Sequence, residues 1–266
     1  MDTLKKYTQA NRAAWNQAMP FHQKAHSEKW DACFSQQGFS VFKQPELGQL
    51  NTLGVKGKNV AHLCCNNGIE LMSLKNMGAA NCVGFDIADE AIKEATSRTK
   101  RYNINCRFER FDIYDIPARY NAAFDMVYIS AGCLGWMPDL DLFFKKVSAL
   151  LNDTGVVFIH EIHPVAEMLP DDNSNDDPLK ITEPYFKSEP YEENCSLDYV
   201  GREDYSANTQ YWFVWTMANI ITALISNGFN IRQFAEYPHD VSANHRNNQN
   251  AGIAIPLSYI LCAHKA

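Results

Sequence analysis

The sequence contains no Cys-x-x-Cys pair, so its eight cysteines offer none of the paired thiolates of a zinc site. They are also too sparse in 266 residues for a disulfide scaffold, and they read as free thiols, mostly buried, in a reducing compartment. No apolar run reaches the ~18 residues of a membrane span, and Met1–Gln17 lacks the apolar core of a secretory leader. Both absences point to a cytoplasmic protein with no membrane partner. Basic charge is short as well: 24 Lys and Arg stand against 31 Asp and Glu, a net charge of −7, which argues against nucleic acid as the main partner. Internal repeats and low-complexity tracts are missing too. What remains is ordinary globular composition, 46% hydrophobic and 21% charged, long enough to bury a core without staples.

The chain changes texture along its length. Residues 3–30 read as a helix with scattered large apolar groups, and a second helical stretch follows through Asp31–Phe42. From Asn59 onward, short apolar runs alternate with helical periods. Strands are expected at Asn59–Cys64, Ala80–Asp86, Cys106–Phe111, Phe124–Ile129 and Val156–Ile162. Helices are expected at Gly68–Met77, Ala88–Tyr102 and Leu140–Leu151, with Gly78 as a stop. This alternation implies βαβ units and a mainly parallel sheet. Residues 165–210 differ: they hold twelve acids and three bases, a net −9, with many Pro, Asn, Ser and Tyr. They read as an inserted acidic lid over the sheet edge, within a single domain spanning 1–266 whose residues 1–50 form an N-terminal helical cover. Trp212–Asn227 then reads as a helix. Asn230–Glu236 and Ile253–Ala263 read as strands joined without a helix, hence an antiparallel hairpin.

The turn after the first strand carries the first chemical signal. In a doubly wound sheet, nucleotide-like ligands sit there, and an acid ending the second strand is placed to accept from ribose hydroxyls. Asp86 is that acid, 18 residues after Gly68. A dinucleotide would need Gly-x-Gly-x-x-Gly, but Cys64 and Asn66 stand where the first glycines would be and only Gly68 remains. No phosphate-binding Gly-x-x-x-x-Gly-Lys-Ser/Thr loop occurs either. The pattern suits a nucleoside ligand without phosphates, such as S-adenosylmethionine, and Asn66 tolerates the left-handed backbone that glycine would otherwise supply.

At these residues the chain resembles the class I S-adenosylmethionine-dependent methyltransferases. His62-Leu63-Cys64-Cys65-Asn66-Asn67-Gly68-Ile69-Glu70 departs from the usual Asp/Glu-x-Gly-Cys-Gly-x-Gly at three positions. It is closer to a bacterial subgroup with His-Leu-x-Cys-x-x-Gly-x-Asp/Glu there. Val83–Ile87, Phe111–Ile113, Phe124–Ser130, Leu150–Gly155 and Glu161–Pro164 resemble later motifs in order, Asn11–Asn16 resembles the N-terminal helix of that subgroup, and Ile255–Tyr259 its final strand. The resemblance implies a Rossmann-like α/β fold: seven strands, mainly parallel, with an antiparallel last strand. It implies S-adenosylmethionine as cofactor and S-adenosylhomocysteine as product.

By the same resemblance His62, Cys64, Asn66, Gly68, Asp86, Ile87, Asp112, Ile113, Ser130 and Ala131 are expected around the cofactor, with Asp112 and Ile113 at the adenine. His163, beyond the fifth strand, is the candidate general base or substrate contact. Trp15, Trp136 and Trp212, with Tyr191 and Trp215, are candidates for an aromatic acceptor pocket. His160-Glu-Ile-His163 is not the helical zinc pattern, so no metal is expected. Methyl transfer needs in-line positioning and exclusion of water rather than a triad. The acceptor is expected to be a small molecule, and the protein a monomer or homodimer. The alternative is a non-catalytic module that binds the nucleoside on the same fold.

Overall fold

The computed structural model describes residues 2–266; Met1 lies outside the described residues. Strands β1 (Val60–Leu63), β2 (Cys82–Asp86), β3 (Arg107–Arg110), β4 (Phe124–Ile129), β5 (Leu151–Ile162), β8 (Phe229–Tyr237) and β9 (Ser258–Lys265) make one sheet in the order β3-β2-β1-β4-β5-β9-β8. The first five run parallel, and β9 is antiparallel to both β5 and β8. The order reverses between β1 and β4, which opens a crevice at their carboxyl ends. The expected sheet, with its antiparallel last strand, is therefore present.

Strand alternation divides the core between two faces. Ala61, Leu63, Phe85, Val127 and Ile129 pack beneath α5 (Leu140–Leu150) and α6 (Met217–Ser226), where Phe143, Phe144 and Leu224 are fully buried. Each such side chain contributes roughly 1.5–3 kcal/mol. Val60, Met126, Tyr128 and Phe158 face α2 (Glu46–Leu53), α3 (Ile69–Asn76) and α4 (Asp89–Tyr102), meeting Leu50, Leu71, Leu74 and Ala95.

Several boundaries differ from the sequence reading. The N-terminal helix α1 runs unbroken over Asp2–Phe34, through Pro20, instead of splitting near residue 30. Its buried face of Ala14, Ala18 and Met19 holds it against Ala88 and Ala91, and that packing outweighs the backbone bond a proline removes. Helix α2 had no clear periodic signal. β9 starts at Ser258, because the preceding residues form a loop. The connection after β8 contains one helical turn, α7 (Arg246–Gln249).

The expected helix from Trp212 begins only at Met217, capped by a reciprocal Thr216–Asn219 box. Residues ahead of it are extended: β7 (Gln210–Trp212) pairs antiparallel with β6 (Tyr191–Glu193) as a separate ribbon. The acidic 165–210 segment lies along α1. The Asn11 side chain exchanges two hydrogen bonds with the Tyr211 backbone, at 3.0 and 2.7 Å. Gln17 bonds the Ser206 carbonyl and the Asn208 N–H, and Phe21 stacks on Tyr205 at 4.5 Å. On the opposite side Arg12 and Asn16 both bond Asp89 at the start of α4. The motif Asn11-Arg-x-x-Trp15-Asn16 is thus a clamp that lays α1 across the crevice, from α4 to β7.

Candidate active site

The loop after β1 follows from its sequence. Cys64, Asn66 and Gly68 all take left-handed backbone angles, with φ of 52°, 46° and 76°. Only Gly68 is irreplaceable on steric grounds: a Cβ there would stand 2.3 Å from the Phe108 ring. The turn is held by Asp86, whose carboxylate accepts from the Asn66 N–H at 2.8 Å and the Ala88 N–H at 2.9 Å. Burial pushes the Asp86 carboxyl up, and the backbone N–H groups of Ala88, Asn66 and Ile87 oppose that shift. Each of its oxygens keeps a further lone pair, so the group can still accept from ligand hydroxyls. Ile87 is half-buried beside it.

Asp112 is 6% exposed and caps a single 3₁₀ turn at Ile113–Asp115, accepting from the Tyr114 N–H at 3.2 Å. It also accepts from Lys5 of α1 at 2.9 Å, an ion pair invisible in the sequence. Ile113 is buried next to it.

His62 lies between Gly84 of β2 and Tyr128 of β4, fully buried. Burial drives its pKa down to about 3, so it is neutral and cannot supply charge. Its Nε2 shares a 3.0 Å hydrogen bond with Ser130 Oγ, while Nδ1 is buried without a partner. Beyond Ser130, Ala131 and Gly132 are half-buried, and a Cβ on Gly132 would meet nothing within 4 Å. The end of β4 therefore leaves room beside Gly132.

The other half of the crevice centres on Glu161, an acid inside the apolar run of β5. It is 4% exposed and accepts from the backbone N–H groups of Gly132, Leu134 (2.9 Å) and Ile162 (2.8 Å). Despite these donors, burial pushes its carboxyl up to about 7. Glu161 lines a small recess of about 30 Å³ with Glu167, Gly135, Trp212, Phe213 and Trp215. The Trp212 indole lies against Gly135, where a Cβ would come within 2.3 Å of it, and its Nε1 donates to Glu167 at 3.0 Å. Trp136 meets Trp212 edge-on at 4.9 Å and Trp15 at 5.4 Å, so three expected pocket tryptophans do come together. Trp215 donates to the Met137 carbonyl. Tyr191 is the cross-strand partner of Trp212 in the β6–β7 ribbon, and its hydroxyl donates to Glu183.

His163 is tied down on both sides. Its Nδ1 accepts from the Val165 N–H at 3.1 Å, so the proton sits on Nε2 and is donated to Glu236 at 2.9 Å. No ring lone pair is left for a substrate proton, and burial lowers its pKa further, against the pull of Glu236. The expectation of a general base at His163 is corrected on this geometry: the ring anchors the start of the insertion to β8. Among the described residues no group of His, Cys, Asp and Glu is arranged to hold a metal.

Sequence reasoning did not name Glu161, Glu167 or Gly135 as site residues, although Glu161 opens one of the motifs that resemble the family. A signal existed for the first: a lone acid amid Val156–Ile162 must be buried with partners. Glu167 was hidden among the twelve acids of the insertion, and Gly135 acquires its meaning only from Trp212.

Comparison with known proteins agrees with this architecture. Residues 60–155 match the family model described as a methyltransferase domain. Ribosomal protein L11 methyltransferase of Yersinia pseudotuberculosis is 31% identical over 111 residues, 42% of this chain and 38% of that protein. The chain thus spans 38–48% of the length of the curated relatives it matches. An S-adenosylmethionine-dependent methyltransferase from Mesorhizobium loti superposes with a TM-score of 0.59 at 21% identity, covering 82% of this chain and 97% of the other. Geranyl diphosphate C-methyltransferase of Streptomyces coelicolor, solved with S-adenosyl-L-homocysteine, superposes at 0.55 with 11% identity, covering 83% and 79%. At these identities the likeness is one of fold. Residues 60–155 thus resemble a methyltransferase domain, and the chain has the Rossmann-like fold of these S-adenosylmethionine-dependent methyltransferases.

Proposed function

We propose that the protein transfers a methyl group from S-adenosylmethionine to a small-molecule acceptor. The observation that carries this reading is the left-handed Cys64–Gly68 loop locked to Asp86 at the switch point between β1 and β4, roofed by α1. The residues fit the cofactor: Asp86 retains acceptor capacity, His62 Nδ1 is an orphaned buried nitrogen, and the space at Gly132 is open. When bound, S-adenosylmethionine supplies an electrophilic methyl group on a sulfonium. Asp86 and Ile87 would hold its ribose, and Asp112 with Ile113 its adenine. Cys64, Asn66 and Gly68 would border its methionine part, with neutral His62 orienting Ser130 and Ala131 alongside. α1 and Trp15 exclude water, and the recess beyond Gly132 receives the acceptor.

A small acceptor is favoured because the recess walled by Trp212–Trp215 is narrow and the chain is acidic. The L11 relatives name a protein acceptor, but what they share with this chain is 38% of their length. Cytoplasmic location and a monomeric or dimeric state belong to the same reading.

Calorimetry with S-adenosylmethionine and S-adenosylhomocysteine tests it, followed by detection of homocysteine product over a panel of small acceptors. Binding of both ligands with turnover on an acceptor is expected. Failure to bind either would leave a fold that has lost the activity.

A further inference from the structure

Glu161 stands on one strand and holds the loop of another. Its Oε1 accepts from the Gly132 and Ile162 N–H groups, and its Oε2 from the Leu134 N–H. Gly132 and Leu134 belong to the turn after β4, the parallel neighbour of β5. Packing does not fix that turn at Gly132: its φ is 85°, and nothing lies within 4 Å of where a Cβ would stand. Ser130 and Ala131, which border the proposed cofactor, are the two residues just before it. The titratable groups facing Glu161 are Glu167 beyond β5, Cys133 in the turn itself, Tyr128 of β4 and Tyr259 of β9. None of them is a cation, so backbone N–H groups alone hold the carboxylate.

Three N–H donors suit a carboxylate, which only accepts. A proton has to sit on one of the two oxygens. On Oε2 it weakens the bond from Leu134, and on Oε1 those from Gly132 and Ile162. Burial raises this carboxyl to about 7, so the two forms exchange near neutral pH. Fold stability and loop fixation then depend on pH with opposite signs. The folded value lies above the ordinary 4.5, so folding favours the protonated acid: its contribution to stability is full below pH 4.5 and is lost as pH rises through about 7. The grip on the loop needs the carboxylate and strengthens over the same range. An acid that served the fold alone would show only the first of these trends.

We infer that Glu161 is a positioning residue for methyl transfer: its carboxylate clamps Gly132 and Leu134 so that Ser130 and Ala131 line the cofactor, and protonation releases the clamp. The part played by the cofactor rests on the methyltransferase reading; the clamp itself does not.

Two measurements on the full chain between about pH 5.5 and 8 test this. Hydrogen exchange at the Gly132 and Leu134 amides, corrected for its intrinsic pH dependence, reads the clamp without any ligand. Protection should fall about tenfold across that range as pH drops. Calorimetry with S-adenosylhomocysteine reads the consequence, and affinity should fall about tenfold in the same direction. Glu161→Gln imitates the protonated acid, because its amide nitrogen donates and cannot accept. Its two amides should be poorly protected at every pH, and at pH 8 it should bind S-adenosylhomocysteine about tenfold more weakly, with no acidic limb. Its urea midpoint should gain on that of the wild type as pH rises, which sets it apart from a variant that merely unfolds; the wild-type titrations decide the matter even if it is unstable. Glu70, at the start of α3, is also raised to about 7 by burial, so Glu70→Gln is the control and should keep the limb. Protection or affinity that ignores pH in the wild type overturns the inference, as does a limb that survives in Glu161→Gln or vanishes in Glu70→Gln. Amide protection that titrates as expected, with S-adenosylhomocysteine bound at no pH, upholds the clamp and removes the methyltransferase reading. Binding of S-adenosylhomocysteine with flat affinity removes this inference alone.

Discussion

The two halves of the crevice are built by opposite means. On the β1–β2–β4 side, backbone conformation makes the site: left-handed positions at alternate residues 64, 66 and 68, one glycine against Phe108, and a carboxylate gripping two backbone N–H groups. On the β5 side, side chains from distant segments make it: Glu161 from a strand, Glu167 from the 165–210 segment and Trp212 from a separate ribbon line one recess, with Trp212 against Gly135. A site made of local backbone is fixed by a short motif. A site made by long-range packing can change its ligand without disturbing the first, which is what a shared cofactor and variable acceptors require.

The sharpest way to break the comparison is at the glycine of each half. Gly68→Ala puts a Cβ 2.3 Å from Phe108 at a φ of 76°. Overpacking and backbone strain together should cost about 2–5 kcal/mol of stability, read as a lowered urea midpoint, with S-adenosylhomocysteine binding lost. A variant with native midpoint and affinity would show that the loop is not backbone-determined. Asp86→Ala comes next. It removes charge-assisted acceptors and loosens Asn66, so cofactor affinity should fall by about 1.5–3 kcal/mol. Calorimetry on the folded variant checks this, and unchanged affinity would take Asp86 out of the site.

Gly135→Ala is the counterpart on the β5 side. Gly135 is not among the left-handed glycines, so the backbone accepts alanine and only the Trp212 indole is in the way. Moving that ring should cost about 1–3 kcal/mol of stability and impair acceptor binding, while cofactor affinity stays within about 0.5 kcal/mol. Equal damage to both ligands would mean that the halves are coupled rather than separable.

The same contrast explains what the sequence could reveal. His62–Gly68 and Asp86 were legible because each element contributes a contiguous motif, and strand–helix alternation orders them. Even there the ion pair from Lys5 to Asp112 joins residues 107 apart and has no local trace. The Trp212–Ser226 region misled for a physical reason. Its apolar residues fit a helical period, yet Tyr211 is taken by Asn11 and the Phe213 N–H by the Gly135 carbonyl, which holds the segment extended until Thr216 can cap a helix. Glu161 carried a signal in its apolar setting. Its partners did not, because they are backbone groups of a loop after a different strand.

The smallest expected effect is at His163, and its sign distinguishes anchoring from catalysis. Val165 and Glu236 occupy both ring nitrogens, and Glu236 is half-exposed, so water can replace that bond. His163→Ala should therefore cost only about 1–2 kcal/mol of stability. Burial lowers the folded pKa below the ordinary value of 6.5, so folding favours the neutral ring. Its contribution is full above pH 6.5 and is lost as pH falls from there toward the lowered folded value, because the unfolded chain then binds the proton more readily. Urea titrations at several pH values should show this acid sensitivity in the wild type and less of it in the variant. Turnover should keep its pH profile, with any loss appearing as a raised KM from a displaced insertion. A general base would behave differently: its removal should lower kcat by roughly 10²–10⁴ and erase the acidic limb of the rate profile. Measuring stability and rate against pH on the same variant places His163 on one side of that line.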